Sequence, residues 1–432
     1  MPIKHIDISD KKKCCGCNAC SESCPKRCIE MLPDEMGAMY PHVDTKKCIE
    51  CGLCVRVCPF ENPSEPSLPI ECYAAINKNE EERLASSSGG VFAELARQTI
   101  ARGGAVFGAV FSDDWNVRHM YAETMEGVLP MMGSKYVQSD SAHTFLRAKQ
   151  FLDSGREVLY TGTPCQIAGL KHFLKKDYPG LLAVEVICHG APAPGVWQAY
   201  LKELRAIRGG KNTADAMPEI SDIAFRSKLS GWKKFGFALR LADKGGEQNS
   251  VSPPNHQFYE VFSENPYMKA FLRNWSLRPS CYACKAKAGM SQADMTIGDF
   301  WGVDENTTIP DDDKGISCVI CRSEKGVRAM DAAKDLLRSP VSYETILQGN
   351  PSIETSVAFT DYARRFRRLF IADGFFKALH KTEHPPLFVR GINFLKRRLR
   401  FGHSFASQRH CLYRNLSRNL LEFVLYLDFF RG

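Results

Sequence analysis

Two stretches of sequence decide the fold of the first part of this chain: residues 14–25, CCGCNACSESCP, and residues 48–59, CIECGLCVRVCP. Each contains four cysteines separated by two, two and three residues, and each ends in a proline directly after the fourth cysteine. Two-residue gaps let the backbone curl around a bound metal group, so that thiolates and backbone N–H groups point at it. The proline then turns the chain away toward a second group.

This spacing is typical of bacterial two-cluster ferredoxins, in which the fourth cysteine of each run ligates the other cluster. It predicts one 4Fe-4S cluster on Cys14, Cys17, Cys20 and Cys58, and a second on Cys48, Cys51, Cys54 and Cys24. Zinc sites usually take two separated pairs of ligands, and two matching copies argue against coincidence. Such clusters pass single electrons at low potential, around −400 mV. Cys15 and Cys28 fall outside the spacing, and Cys28 is expected to pack near a cluster.

The composition is that of a globular protein, with 44% hydrophobic and 25% charged residues over 432 positions. No apolar run approaches the ~20 residues that span a bilayer, which excludes a membrane-embedded chain. The first residues lack the apolar core of a signal peptide, so we expect a cytoplasmic protein. Its 18 cysteines are then reduced and interpreted first as metal ligands.

Beyond residue 60 the pattern changes. A Pro- and Ser-containing stretch at 61–69 predicts a linker. Strands are predicted at 105–111, 117–122, 182–187, 220–226 and 235–241, and helices at 92–100 and 195–207. Residues 158–166 are predicted as a buried strand that runs into a sharp turn and a helix. The mixture predicts an α/β or α+β body. Ser87–Gly90 stand directly before a helix, where free N–H groups suit a phosphate, although a serine N-cap with a glycine turn explains them equally simply.

Four body cysteines, Cys165, Cys188, Cys281 and Cys284, each stand at a strand end or a Gly/Pro turn. Spacing alone leaves three possibilities open: a third 4Fe-4S cluster, a four-cysteine zinc site, or a nucleophilic Cys165 with His189 as its base. Four other cysteines have no matching partners, and we interpret them as buried structural thiols: Cys72, Cys318, Cys321 and Cys411.

An ordered set of motifs resembles the coenzyme F-420 hydrogenase/dehydrogenase β-subunit family over about residues 70–350. The motifs are Ser87–Val91, Gly133–Tyr136, Gly162–Gln166, Ile187–Gly190, Phe225-Arg226 with Gly231-Trp232, Cys281-x-x-Cys284 and Ile297–Gly302. Their occurrence together and in order is far more specific than any one of them. Many members of the family also carry a fused ferredoxin domain.

The resemblance implies a flavoprotein that binds FAD and favours a third 4Fe-4S cluster on the four body cysteines. With the cysteine spacing and the charge pattern, it leads us to expect three parts: a dicluster ferredoxin-like domain at 1–62, a mixed α/β flavin-binding domain at 63–350 and, outside the resemblance, a basic, aromatic helical extension at 351–432. The implied flavin or hydride-carrier site comprises Ser87, Ser88, Gly89, Gly90, Gly133, Ser134, Lys135, Tyr136, Gly162 and Thr163.

Two residues are candidates for catalysis, each with a simpler interpretation beside it. Lys135 could hold a phosphate or stabilise negative charge on a reduced flavin, or be a solvated surface lysine. His189 could supply a proton, or merely stabilise its turn.

The net charge of +8 is concentrated at one end, because residues 361–432 carry 15 basic and 5 acidic side chains. Two amphipathic basic helices are predicted there, from residue 388 onward. They could dock an acidic partner such as ferredoxin, lie on the inner membrane face, or pack on the body with a solvated basic side. Nucleic acid is not expected as a partner, since no recognised binding motif accompanies the charge.

These observations favour an iron–sulfur flavoprotein oxidoreductase that links ferredoxin-type electrons to an organic substrate. A flavin handles electron pairs and clusters handle single electrons, so the two together convert one kind of transfer into the other. The substrate implied is coenzyme F-420 or another small molecule, and family associations suggest polysaccharide biosynthesis. The alternatives are a non-catalytic electron-transfer subunit, and a dicluster ferredoxin fused to a zinc-stabilised binding module.

Overall fold

The computed structural model describes residues 5–208, 220–241, 258–302 and 307–385. The strands are β1 (Ile29–Pro33), β2 (Met39–Val43), β3 (Glu71–Asn77), β4 (Ala105–Phe111), β5 (Val117–Ala122), β6 (Val158–Gly162), β7 (Leu181–Val186), β8 (Ile220–Ser227), β9 (Gly236–Leu241), β10 (Phe258–Val261), β11 (Met295–Asp299), β12 (Ser317–Cys321) and β13 (Leu336–Pro340).

The α-helices are α1 (Ala19–Glu22), α2 (Leu53–Arg56), α3 (Glu80–Ala85), α4 (Val91–Ala101), α5 (Met125–Val128), α6 (Thr144–Asp153), α7 (Pro164–Leu174), α8 (Pro194–Arg208), α9 (Pro266–Leu272), α10 (Glu324–Ala332), α11 (Tyr343–Gly349), α12 (Asp361–Asp373) and α13 (Phe375–Glu383). Short 3-10 helices occur at Lys11–Lys13, Leu129–Met131, Pro279–Ala283 and Pro351–Ile353.

An eight-stranded sheet in the order β13-β3-β12-β11-β7-β6-β4-β5 forms the centre of the body. The four strands β11, β7, β6 and β4 are parallel, and antiparallel strands extend the sheet on both sides. Every residue of β6 is buried, as a parallel strand covered on both faces requires. The predicted fold class is confirmed: a small ferredoxin-like region is followed by a mixed α/β domain and C-terminal helices.

One edge of this sheet gathers the ends of many elements. The carboxyl ends of β6, β7 and β11 lie side by side there, at Gly162, Val186 and Asp299. The antiparallel strand β12 begins at the same edge, because Ser317 pairs with Asp299, and β3 ends there, because Ala75 pairs with Ser317. Ligands of α/β proteins bind outside the carboxyl ends of the strands, so this edge is where a site is expected.

The sequence predicted several of these elements closely. Strands β4 and β5 have the predicted bounds, β6 begins at the predicted residue, and α4 and α8 each extend one residue beyond the prediction at both ends. Seven strands were not predicted: β1, β2, β3, β10, β11, β12 and β13. In β12 all five residues are buried, so its sequence lacks the alternation of polar and apolar residues that identifies a half-exposed strand.

The cysteine-rich head, residues 5–62, packs directly on the body. In the turn between β1 and β2, Gly37 has φ +76° and approaches α8 so closely that an added Cβ would lie 2.4 Å from the Gly195 nitrogen. The Gly195 N–H donates to the Met36 carbonyl at 2.9 Å. At a second contact, a Cβ on Gly169 of α7 would lie 2.8 Å from the Cys17 sulfur. Both close contacts are possible because glycine has no side chain.

A second, three-stranded antiparallel sheet, β8-β9-β10, encloses an aromatic core with α8, α9 and α12. Its centre includes Trp197, Phe225, Phe237 and Tyr267, and Phe366 of α12 is buried against it. The apolar side of α12 therefore packs on the body, while Arg364 and Arg368 on the same helix are exposed.

Residues 5–379 belong to one compact unit, and the end of α13 from His380 onward lies outside it. The helices predicted from residue 388 onward, and Cys411, lie outside the described residues. No helix in the described part of the chain combines the length and apolarity needed to cross a membrane.

Candidate metal centres and cofactor site

The two cysteine runs of the head adopt the same local backbone. Gly16 and Glu50 stand at equivalent positions, with φ angles of +69° and +52°. The N–H of each donates to the sulfur of the first cysteine of its run, Cys14 or Cys48, at 3.4 Å in both copies. The spacing therefore produces two copies of one thiolate-binding turn, with an N–H already directed at a ligand sulfur.

The short helices of the head repeat as well. Asn18 and Gly52 have φ angles of +64° and +68°, and each stands directly before a one-turn helix, α1 or α2. Each helix carries the third cysteine of its run, Cys20 or Cys54. Left-handed residues at these positions turn the chain sharply between the second and the third cysteine of each run.

The fourth cysteines lie near the opposite run. Burial raises the pKa of Cys58 to about 12, and the neighbouring charges of Cys17 and Cys14 contribute in the same direction. Burial also raises the pKa of Cys54, with a further contribution from Cys24. These neighbours fit the exchange of fourth ligands that the spacing predicts. We refer to Cys14, Cys17, Cys20 and Cys58 as the inner site, and to Cys24, Cys48, Cys51 and Cys54 as the outer site.

A small, partly open cavity lies at the outer site. All four cysteines of the outer site line it, together with Cys28, Gly52 and apolar residues such as Ile29, Val43 and Leu53. Cys28 is 6% exposed, and its sulfur lies 3.4 Å from that of Cys24. Four thiols around one apolar cavity are the donor set that a 4Fe-4S cluster takes, so the residues present fit the group.

The inner site is enclosed, whereas the outer site reaches the surface. Cys14 and Cys17 are buried, while Cys51 is exposed. Across the described residues, no group of three or more His, Cys, Asp or Glu side chains is arranged to hold a single metal ion. A four-iron cluster is ligated at four separate irons, so its thiolates need not converge on one point.

The four body cysteines are brought together at the carboxyl edge of the large sheet. Cys165 lies in the first turn of α7, Cys188 follows β7, and the other two belong to the 3-10 helix Pro279–Ala283 and its C-cap. Burial raises the pKa of Cys188 far above its usual value, and the charges of Cys281, Cys165 and Cys284 contribute to the rise. We call this group the third site; its ligand role stays a prediction.

Cys15 connects the inner site to the third site. A hydrogen bond with the Cys15 thiol lowers the pKa of Cys165 to about 7 against the effect of burial, and Thr163 contributes through its hydroxyl, 3.3 Å from the sulfur. Cys15 also hydrogen bonds with Cys17. A lowered pKa favours the thiolate that metal ligation needs. Sequence reasoning missed Cys15 because its contact lies in a distant part of the chain.

Two of the predicted flavin loops meet. The Ser134 N–H donates to the Ser87 hydroxyl at 2.6 Å. Arg226 of β8 joins them, donating to the Ser87 carbonyl at 3.2 Å and to the Tyr136 hydroxyl at 3.3 Å. It also forms a bidentate ion pair with Asp299 at the end of β11, at 2.7 and 3.1 Å. Arg226 and Asp299 lie within the motifs of the resemblance, but only the structure shows that they tie the loops together.

Two lysines beside these loops donate to backbone carbonyls. Lys135 donates to the Met132 and Gly133 carbonyls at 3.1 and 3.2 Å. Lys228 donates to three carbonyls, including that of Ser88 at 2.9 Å. Removal from solvent lowers the pKa of each lysine to about 7. Lys228 carried no signal in the sequence. Lys228 uses all three of its N–H groups on carbonyls, whereas Lys135 uses two and retains one that can donate to an anionic group such as the phosphate of a dinucleotide cofactor.

The glycines of the two flavin loops have different surroundings. A Cβ on Gly89 would lie 2.3 Å from the Ala75 carbonyl, and one on Gly90 would lie 2.9 Å from the Asn77 Cβ, so close packing on β3 accounts for both. Gly133 has φ +79°, and a Cβ added there would meet nothing within 4 Å among the described residues, so the space beside it is open.

Gly162 and Thr163 belong to a different part of the edge. Thr163 caps α7, where its hydroxyl donates to the side-chain carbonyl oxygen of Gln166 at 3.0 Å. A Cβ on Gly162 would contact Gln166 and His119. Both residues therefore position the helix that carries Cys165, rather than joining the loops at Ser87 and Ser134.

His189 lies between the third site and the flavin loops. It follows Cys188 directly, and its Nε2 hydrogen bonds with the Asn274 side chain. Its ring meets Phe271 edge-on at 5.5 Å, and Phe271 stacks on Tyr136 at 4.8 Å between ring centres. Burial lowers the pKa of His189. Because Cys165 contacts Cys15 and Thr163, these contacts give no support to His189 as a base for Cys165.

Two protein-family models match the chain. Residues 13–62 match the 4Fe-4S dicluster domain. Residues 155–339 match the model that describes the C terminus of the beta subunit of coenzyme F-420 hydrogenase/dehydrogenase. The second match contains all four cysteines of the third site, Arg226 and Asp299, whereas the loops at Ser87–Gly90 and Gly133–Tyr136 precede it.

Among solved structures, the chain is similar to a chain of the F-420-reducing NiFe hydrogenase complex from Methanosarcina barkeri, in a study of xenon derivatisation. The two are 17% identical, the alignment covers 66% of this chain and 90% of that chain, and the TM-score is 0.43. No curated protein sequence matches the chain.

Proposed function

Because this chain joins a 4Fe-4S dicluster domain at residues 13–62 to a coenzyme F-420 hydrogenase/dehydrogenase β-subunit domain at residues 155–339, we propose that it is an iron–sulfur flavoprotein oxidoreductase. In this proposal it carries three 4Fe-4S clusters and FAD. Single electrons enter from ferredoxin or another redox protein, and coenzyme F-420 or another small organic molecule exchanges a hydride or electron pair at the flavin.

One observation carries the proposal: the candidate sites form a continuous series of contacts. The inner and outer sites adjoin through Cys20 and Cys54. Burial raises the pKa of Cys20 most, the thiols of its own site add to the rise, and the charge of Cys54 makes a smaller contribution in the same direction. Cys15 connects the inner site to Cys165. His189 and Phe271 then connect Cys188 to Tyr136 in the flavin loop. Electron transfer needs short separations between centres, and this arrangement supports them.

The protein's own groups have distinct tasks in this proposal. When bound, FAD supplies the conversion between single electrons and electron pairs. Arg226, fixed by Asp299, holds the Ser87 and Tyr136 loops in one position. Lys135 has one N–H left to bind a phosphate or stabilise negative charge, and Lys228 ties the Ser88 loop to its neighbours through three carbonyls. His189 is held by Asn274, so that its ring faces Phe271 between the two centres.

Anaerobic purification followed by iron, zinc and flavin analysis tests the proposal. Three clusters and one flavin predict roughly twelve irons and one FAD per chain. Absence of flavin after reconstitution would contradict it. Eight irons with stoichiometric zinc would instead favour a dicluster ferredoxin fused to a zinc-stabilised binding module.

The substrate is tested by reoxidation of the reduced protein. Oxidation by F-420, by NAD(P) or by a sugar or lipid-linked intermediate of polysaccharide assembly would identify the carrier. A flavin that is reduced rapidly by ferredoxin but is oxidised only when a partner protein is added would instead indicate a non-catalytic electron-transfer subunit.

Partner contact is proposed at two places. The exposed Cys51 of the outer site is the point at which a redox protein can approach a cluster most closely. We also propose that the basic segment after α11 contacts an acidic partner protein or, in a cytoplasmic location, the inner face of the membrane. The exposed side chains of Arg364 and Arg368 support this proposal. Sedimentation with anionic but not neutral vesicles would be expected for membrane contact.

A further inference from the structure

Arg278 is a fully buried cation at the contact between head and body. It is 1% exposed and stands directly before the 3-10 helix Pro279–Ala283. Its Nε donates to the Cys14 carbonyl at 2.8 Å and its Nη2 to the Met39 carbonyl at 2.7 Å. Its Nη1 donates to the Gln138 side chain at 3.0 Å, and the guanidinium lies 4.2 Å from the centre of the Tyr40 ring.

None of these partners carries a negative charge. The remaining contact of Arg278 is to the Cys14 sulfur, 3.5 Å from Nη2. Of the three other buried arginines of the described chain, Arg226 pairs with Asp299 and Arg83 with Asp312. The third, Arg322, donates to Ser67 and Thr296 and has the buried carboxyl group of Glu185 nearby. A buried charge without a counter-charge is strongly destabilising, so the environment of Arg278 has to supply one. The Cys14 thiolate, and the cluster it would ligate, are the anions in reach.

Arg278 also faces the third site. Its backbone N–H donates to the Ala191 carbonyl at 2.9 Å, and the Ala191 N–H donates to the Cys281 sulfur at 3.3 Å. The Cys281 N–H also donates to the Arg278 carbonyl at 3.0 Å. Arg278 therefore contacts Cys14 of the inner site through its guanidinium and Cys281 of the third site through its backbone.

We propose that Arg278 is a positioning residue that supplies the counter-charge of the inner cluster and raises its reduction potential above the value that the four thiolates alone would give. Reduction adds one electron, and hence one negative charge, to the cluster at the inner site. A cation 3.5 Å from a ligand sulfur stabilises the more negative form, and the low dielectric of the interior strengthens the effect. This inference rests on the proposed function only in that the inner site is occupied by a cluster.

The proposal implies that electrons pass from the outer cluster to the inner cluster. Among the described residues, the contacts of the outer-site cysteines include no comparable buried arginine, so Arg278 makes the inner cluster the better acceptor of the two head clusters. One electron leaves the outer cluster, which is oxidised, and reduces the inner one, with no proton required. The same charge then lies beside the third site, where the next transfer takes place.

An EPR-monitored redox titration of the intact, cluster-loaded protein tests this. Arg278→Gln should lower the reduction potential of the inner cluster by at least about 59 mV, which is a tenfold change in the equilibrium constant of a one-electron reduction. The reduction potential of the outer cluster should not change. Arg278→Lys should keep most of the wild-type potential because it keeps the charge. Arg322→Gln is the matched control: Arg322 is also buried, but it contacts Ser67 and Thr296 instead of a head cysteine.

An unchanged inner potential in loaded R278Q, or equal shifts in R278Q and R278K, would overturn the proposal. If R278Q fails to load the inner cluster, the titration of R278K decides: a potential near the wild-type value supports the proposal, and loss of the inner cluster from R278K as well overturns it. Absence of flavin from the wild-type protein would contradict the proposed function and leave this titration of the head unaffected.

Discussion

At Cys28, four positions beyond Cys24, a thiol outside the ligand spacing lies beside a predicted ligand. The two sulfurs are 3.4 Å apart, and both residues line the cavity of the outer site. A single mutation of Cys24 therefore leaves a thiol in reach of the same cluster. We therefore expect Cys28 to be able to replace Cys24 as a ligand, in addition to the packing role that its position in the sequence suggests.

Cys24→Ser alone is expected to retain the outer cluster, because Cys28 can replace the lost ligand. The double variant C24S/C28S should lose roughly four irons per chain and the corresponding EPR signal. Cys28→Ser alone serves as the control and should load fully. Loss of the outer cluster from C24S alone would show that Cys28 does not ligate.

Lys135 provides a pH-dependent prediction. Its pKa is lowered to about 7 by removal from solvent, so it is charged below that pH and neutral above it. If Lys135 binds an anionic part of FAD, the affinity of the protein for FAD should fall as the pH rises from one unit below the pKa of Lys135 to one unit above it. A hydrogen bond to a charged group contributes about 1.5–3 kcal/mol, so the loss should be roughly tenfold or more.

Flavin fluorescence quenching on the flavin-depleted protein measures this affinity. Lys135→Met should bind more weakly and lose the pH dependence, whereas Lys78→Met, at an exposed lysine that contacts the Lys334 carbonyl, should behave as wild type. The same pH profile in K135M and wild type would assign the dependence to another group.

At the scale of elements, helix α7 positions both a third-site cysteine and the head. Thr163 and Gln166 form a capping box at its start, which fixes the first turn and hence Cys165. One turn later, Gly169 lets Cys17 approach the helix axis. One helix therefore sets the separation between the inner site and the third site.

Gly169→Ala should separate the two sites slightly, although alanine favours a helix by about 1 kcal/mol over glycine. The new Cβ would lie 2.8 Å from the Cys17 sulfur, and such overpacking typically costs about 1–3 kcal/mol. We expect a lower unfolding midpoint and an altered EPR signal of the inner cluster.

Gly103→Ala is the control for Gly169→Ala. A Cβ there meets nothing within 4 Å among the described residues, but φ is +72°, so backbone strain alone lowers stability. Its inner-cluster signal should remain that of wild type. An unaltered signal in G169A would mean that the head shifts without disturbing Cys17.

For the whole molecule, we expect the third site to connect the head to the flavin loops. Cys188→Ser should leave both head clusters reducible by a ferredoxin-type donor while slowing flavin reduction by at least tenfold. Cys318→Ser is the control, since Cys318 is a buried thiol of β12 outside the three sites. Stopped-flow absorbance separates the two steps, and wild-type flavin reduction in C188S would show that electrons bypass the third site.

The sequence by itself determined the parts of the protein that depend on local spacing. Cysteine gaps of two, two and three residues require the repeated turns at Gly16 and Glu50, because neighbouring positions along a chain fix one another's geometry. Alternating apolar residues likewise predicted β4 and β5 with their observed bounds. The four body cysteines were identified, but their spacing left cluster, zinc and nucleophile equally open.

Only the tertiary structure decided which distant residues meet. The contact of Cys15 with Cys165, the ion pair of Arg226 with Asp299 and the position of Arg278 beside Cys14 each join residues that are far apart in sequence. No periodicity or motif encodes such contacts. They arise because β3, β6, β7, β11 and β12 place their ends at one edge of the sheet, and because glycines on α7 and α8 let the head pack directly against that body.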